Sequence, residues 1–164
     1  MSKVDKASEA DVEKLKTNER KWSKPLMAAG WNAIPNIIIE KQEALGIDAL
    51  DMNIILHLTH YWWHPENLPH PSVETIAKAV RVQPRTVQKR VKALCELGLI
   101  ERKQRRHTKH GSTTNLYSFN GLIKACTPYA EEKLAEIHRA KVAKEERLAR
   151  KKPRLVINND SDTE

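Results

Sequence analysis

Residues 72–119, SVETIAKAVRVQPRTVQKRVKALCELGLIERKQRRHTKHGSTTNLYSF, decide the fold. Ser72 is a good helix N-cap, and Val73, Ile76, Ala77 and Val80 follow at the spacing of one helix face. Arg81-Val82-Gln83 reads as a tight turn with Val82 turned inward. Pro84 suits the first position of the next helix, where its missing N–H would have no partner anyway. Val87, Val91, Leu94 and Gly98 fall within about 60° of one another on the helical wheel and form the packing stripe. Arg85, Lys89, Lys92 and Glu96 take the opposite face, with Thr86 and Gln88 beside it, and Gly98 ends the helix. Leu99 to Arg106 and Thr113 to Asn120 then read as the strands of a hairpin whose tip, His107 to Ser112, turns on Gly111.

The charge is concentrated in the same stretch. The chain holds 29 Lys+Arg against 21 Asp+Glu, a formal +8. Between Arg81 and Lys109 stand ten basic residues (Arg81, Arg85, Lys89, Arg90, Lys92, Arg102, Lys103, Arg105, Arg106, Lys109) and two acidic ones, Glu96 and Glu101. This surplus of eight equals that of the whole chain, so everything else sums to zero. Cations crowded in this way repel one another unless an anion lies near, which points to a polyanionic partner.

Working outward, the segment before Ser72 supplies a core. Asp48 is a fitting N-cap with Asp51 in the first turn of a helix. Asn53, His57, His60 and His64 form a narrow polar strip on it; Leu50, Met52, Ile54, Ile55, Leu56, Leu58, Tyr61, Trp62 and Trp63 cover the rest. Such a helix is expected to be the buried central beam of the domain. The three prolines of HPENLPHP end it in a loop. Further upstream, IPNIII (Ile34 to Ile39) is rich in β-branched residues and predicts a short strand. WSKPLMAAGW, from Trp22 to Trp31, predicts an irregular arm pinned by its aromatics. Ala10 to Lys16 has weak helical character, but the alternating charges favour disorder. After Gly121 a long helical pattern is expected to break at Thr127-Pro128, resume at Tyr129 and run to about Lys152, with Leu134, Ile137 and Ala140 as its apolar stripe.

The expected organisation is a flexible charged segment at 1–21, a folded basic domain with its arm at 22–123, a charged C-terminal helix at 124–152 and a disordered acidic tail at 153–164. The expected class is mainly α with a small β-sheet. Cys95 and Cys126 have no C-x-x-C spacing, which argues against a disulfide framework or a cysteine zinc site. His60 and His64 stand four apart on one helix face, but no carboxylate or cysteine joins their strip, so no metal is expected. MSKVDKASEADVEKLK lacks the apolar centre of a secretory signal and no run reaches membrane-spanning length, which suggests a cytoplasmic protein. The sequence contains no nucleophile–base pattern, phosphate-cradling glycine loop or paired acids in an apolar setting. An enzyme is therefore not expected, nor is a cofactor.

VQPRTVQKRVKALCELGLIERK resembles the winged helix-turn-helix family of DNA-binding proteins. The resemblance lies in the turn residue Val82, then Thr86-Val87, then Leu94 ahead of Leu97-Gly98-Leu99-Ile100, and it extends over about residues 31–123. Together with the TNLYSF strand, it is similar to a subgroup of bacterial, plasmid and phage regulators and replication initiators. It implies that Arg85, Thr86, Gln88, Lys89 and Lys92 face the major groove of double-stranded DNA. Arg81, Arg102, Lys103, Arg105, Arg106, Lys109 and His110 would then hold the backbone from the turn and the wing. The cap position often held by Ser is Gln83 here, which removes a hydroxyl that would meet a phosphate. The function so implied is sequence-specific DNA binding by a homodimeric transcriptional regulator. The alternatives are a replication-initiation or DNA-processing accessory protein of a mobile element, and an adaptor whose C-terminal helix recruits a protein partner.

Overall fold

The computed structural model describes residues 9–107, 111–112 and 114–150. The charged N-terminal stretch is helical from residue 9: α1 spans Glu9–Trp22, against the expectation of disorder. Arg20 answers Glu13 across two turns at 3.1 Å and reaches Thr17 Oγ1 at 3.3 Å, local support that a count of charges overlooks. α2 (Lys24–Ala28) occupies the arm that was expected to be irregular. The arm's tryptophans are not its anchors, since Trp22 and Trp31 are 58% and 56% exposed. Asn32 does that work: its Nδ2 donates to Leu56 O (3.2 Å) and Thr59 Oγ1 (2.9 Å), and Ile34 packs on the core.

IPNIII forms no strand. Residues Asn36–Glu40 make a short helix, α3, followed by α4 (Gln42–Leu45). The physical reason is packing: Ile37 and Ile38 meet the core from the helix, Ile34 packs beside them from the residues before it, and burial outweighs the β propensity of branched side chains. Gly46, at φ 68°, ends α4 in the left-handed conformation.

α5 (Ala49–His60) begins with a complete capping box. Asp48 Oδ1 accepts from the N–H groups of Leu50 and Asp51, both 2.9 Å, and Asp51 Oδ2 accepts from the N–H of Asp48 at 3.2 Å. Ile54, Ile55 and Leu58 are completely buried, so α5 is the beam of the core. It is less enclosed than its composition suggested. Leu56, Tyr61 and Trp63 stand on the solvent side with Asn53 and His60, and the helix stops at His60. Trp62 does pack inward, its ring centroid 5.4 Å from that of Phe119.

α6 (Val73–Val80) and α7 (Pro84–Glu96) form the expected helix pair. Ser72 Oγ accepts from the N–H of Thr75 at 3.0 Å, Ile76 and Ala77 are buried, and Val73, Val80 and Val82 pack beside them. Arg81 turns the chain in the left-handed conformation (φ 56°). Val87, Val91 and Leu94 carry α7 onto α5 and α6, and Gly98 (φ 70°) closes it with its N–H on Cys95 O.

The hairpin is two short ladders instead of one. β1 (Glu101–Lys103) lies along a partner at its base, and β2 (Arg106–His107) pairs with β3 (Gly111–Ser112) further out. The base partner is β4 (Leu116–Ser118), in the antiparallel register Glu101↔Ser118, Arg102↔Tyr117, Lys103↔Leu116. The other edge of β4 meets the proline loop, where the Tyr117 N–H donates to Pro69 O at 2.9 Å. Proline has no N–H to return.

α8 runs unbroken from Asn120 to Arg150 with Pro128 inside it, against the expected break. Proline costs the helix one N–H, but Lys124 and Pro128 both face solvent, so water can satisfy the freed carbonyl. Leu122 and Cys126 are buried and Ala125 and Tyr129 pack on the core, holding both sides of the proline in place. Gly121 lets this helix start against the end of α7, since an added Cβ there would stand 1.8 Å from Gly98 O. Beyond Ala130 every described residue is exposed. The expected tail at 153–164 lies outside the described residues.

Candidate nucleic-acid interface

The outer face of α7 follows from its inner one. With Val87, Val91 and Leu94 turned inward, Arg85, Gln88, Lys89 and Lys92 must point out, and all four are exposed; Thr86 is half-buried at the edge. The side chains of Arg85, Gln88 and Lys89 make no hydrogen bond or ion pair with other described residues. Lys92 lies 3.5 Å from Glu96, a solvent-exposed i,i+4 pair of little strength.

The wing base meets this face. Directly opposed residues of an antiparallel pair share a side of the ladder, so Arg102 sits on the side of Tyr117 and Lys103 on the other. Arg85, Gln88, Lys89, Lys92 and Arg102 thereby surround one hollow of about 490 Å³, closed by Val73 and Asn115. Asn115 was missed in the sequence. Its only signal there is a spacing of two from Tyr117, which puts both on one strand face. Burial pushes the Tyr117 phenol above its usual range, with the Asn115 side chain beside it opposing the shift.

The remaining expected contacts scatter. Arg81 is exposed in the turn between α6 and α7. Arg105 is half-buried and turned into the hairpin: Nε donates to Thr114 O and Nη2 to Thr114 Oγ1, both 3.0 Å, joining the chain where the two ladders part. Arg106 lies in the outer ladder, while Lys109 and His110 fall outside the described residues. Gln83 caps α7 by backbone alone, with no side-chain bond.

Arg90 differs from its neighbours. Its Nη2 is 2.5 Å from Asp48 Oδ2 and its Nη1 3.5 Å from Asp51 Oδ2. The Asp51 N–H bonded to Asp48, with Arg90 beside it, holds the Asp48 carboxyl below its usual range; burial pushes Asp51 up. Cys95, half-buried against the wing, is raised by burial too, so its thiolate is disfavoured and reactivity with it.

A helix pair, a basic wing and an outward cationic face on the second helix define a winged helix-turn-helix protein of the DNA-binding class. The chain belongs to the DnaD N-terminal domain family, whose model matches residues 34–136, well over half of its length. Among solved structures it is similar to the N-terminal domain of DnaD protein from Geobacillus kaustophilus, with 16% identity and a TM-score of 0.50, covering 75% of this chain and 96% of that one. A DNA complex of MepR from S. aureus is a more distant likeness, at 16% identity and TM-score 0.40 over 86% of this chain and 98% of that one. A search of curated proteins gives no match. Among the described residues no helix is long and apolar enough to cross a membrane.

Proposed function

We propose that this protein is a sequence-specific double-stranded DNA-binding protein that works by binding and not by catalysis. The observation that carries the reading is the unpaired outward row Arg85, Gln88 and Lys89 facing Arg102 of the wing across one hollow. Arginine and lysine pair with guanine and glutamine with adenine at base edges in the major groove, while phosphate contacts orient without specifying. One reading helix touches few base pairs, so a homodimer on two half-sites is part of the proposal. Exposed Leu134 and Ile137 on α8, with Trp22 and Trp31 on the arm, support that pairing. The same stretch of α8 is open to a further protein partner.

Two biological roles fit such a binder. Membership of the DnaD domain family favours replication initiation or DNA processing over transcriptional regulation. Genome-wide mapping of bound DNA tests this directly: clustered repeats at an origin support the first role, and single sites upstream of genes the second. Selection of duplexes from a random pool tests the binding itself. Arg85→Ala or Lys89→Ala should then cost about 1–3 kcal/mol on the selected site and relax one or two base positions. An equal loss on random DNA would remove these residues from base reading.

A further inference from the structure

Arg90, within the basic stretch, faces two carboxylates. It lines a hollow of about 630 Å³ with Gln83, Arg85, Thr86 and Lys89, so by position it belongs to the DNA face. By contact it belongs to α5, through Asp48 at 2.5 Å and Asp51 at 3.5 Å. Both acids are fixed by the capping box, where Asp48 Oδ1 accepts two backbone N–H bonds and Asp51 Oδ2 accepts one. Asp51 is 5% exposed and its Oδ1 has no hydrogen-bond partner, so a charge there is costly unless a cation stays close. Two carboxylates therefore draw the Arg90 guanidinium toward α5.

This contact supplies something the apolar packing of α7 lacks. Val87, Val91 and Leu94 hold α7 against the core through non-directional contacts, which resist separation better than they resist a small roll. A guanidinium is a planar fork whose donors have fixed directions, and one bridging two anchored carboxylates resists rotation. Groups that must meet a partner productively need to be held to within about 0.5 Å and 10–20°.

We propose that Arg90 is a positioning residue for DNA reading. By bridging Asp48 and Asp51 it sets the roll of α7 on α5, and hence the angle at which Arg85, Gln88 and Lys89 enter the groove; it does not touch phosphate. The proposal rests on the assignment of α7 as the reading helix. Asp48→Asn is the sharpest test, since asparagine caps a helix as well as aspartate while the ion pair is lost. This variant, Arg90→Gln and Arg90→Lys would be titrated with a selected duplex and with random duplex at several salt concentrations, folding being followed by thermal melting. Asp48→Asn and Arg90→Gln should lower the ratio of specific to random affinity about tenfold, the worth of one misaligned bidentate pair, with the salt slope unchanged. Arg90→Lys, which keeps the charge and loses the fork, should fall between them and wild type. If Arg90 instead contacts phosphate, Arg90→Gln reduces the salt slope by about 0.9 and Asp48→Asn, having freed the guanidinium, tightens binding to every sequence. Either result overturns the proposal, as does an unchanged ratio in Asp48→Asn and Arg90→Gln while wild type prefers its site. A wild-type protein that binds all duplexes alike overturns the reading-helix assignment and this inference with it.

Discussion

Arg81 and the aspartate pair show how single residues bear on this fold. A non-glycine residue at φ 56° carries a left-handed penalty of about 1–2 kcal/mol, and the turn between α6 and α7 places a cation in that conformation. Arg81→Gly relieves the strain but widens the unfolded ensemble by about 0.4–1 kcal/mol. Stability should stay level or rise by up to about 1.6 kcal/mol in chemical denaturation. Affinity should fall on all sequences alike, with a salt slope smaller by about 0.9, because a phosphate contact is lost. The two aspartates give opposite pH signatures. Asp48 titrates below 3.8 in the folded protein, so its stabilisation is complete above 3.8 and is lost as pH falls through the folded value. Asp51 titrates above 3.8, so ionising it costs stability, increasingly as pH rises from 3.8 through its folded value. Denaturation between pH 3 and pH 7 should therefore show Asp51→Asn gaining on wild type as pH rises. Asp48→Asn should lose ground over the range where Asp48 ionises in the folded protein.

At the scale of elements, α5 separates burial from composition. Leu56 and Leu58 are two residues apart on one helix and identical in hydrophobicity, yet Leu58 is completely buried and Leu56 is 39% exposed. Leu58→Ala should cost about 2–5 kcal/mol through lost transfer energy and the cavity left behind. Leu56→Ala should stay within about 1 kcal/mol, since solvent already reaches the site. Equal melting temperatures for the two variants would refute the placement of this helix. The short helix α3 is linked to α8 by the contacts of Lys133 with Glu40 and of Lys41 with the Tyr129 ring, the cation 5.3 Å from its centroid. Those two contacts join the segment before the core to the helix after it.

For the whole molecule, the apolar surface left open is the strongest constraint. Leu134 (66% exposed), Ile137 (55%), Trp22 and Trp31 are large apolar side chains facing water. If α8 and the arm pair two copies, Leu134→Asp with Ile137→Asp should give a monomer in sedimentation while the core melts as before, because neither residue is part of it. Binding to a two-half-site duplex should drop toward the affinity for one half-site, which itself stays unchanged. A double variant that remains dimeric would remove α8 from the interface.

Local chemistry made the centre of this protein legible in its sequence. Ser72, Pro84 and Gly98 act within a turn of their own positions, and the 3.6-residue period of Val87, Val91 and Leu94 determines which side of α7 faces outward wherever the core lies. The outward row Arg85, Gln88 and Lys89 follows from the same period. What needed tertiary structure was everything whose partner is remote in sequence. Ile37 and Ile38 became helical because the core offered them a helix-shaped seat, and Pro128 was tolerated because packing holds the turns around it. Arg90 and Arg105 are cations like their neighbours until Asp48, some forty residues upstream, and Thr114, across the hairpin, take their donors. A sequence states which groups carry charge; only the folded chain determines which charges remain free for a partner, because a salt bridge or hydrogen bond acts over a few ångströms of space irrespective of distance along the chain.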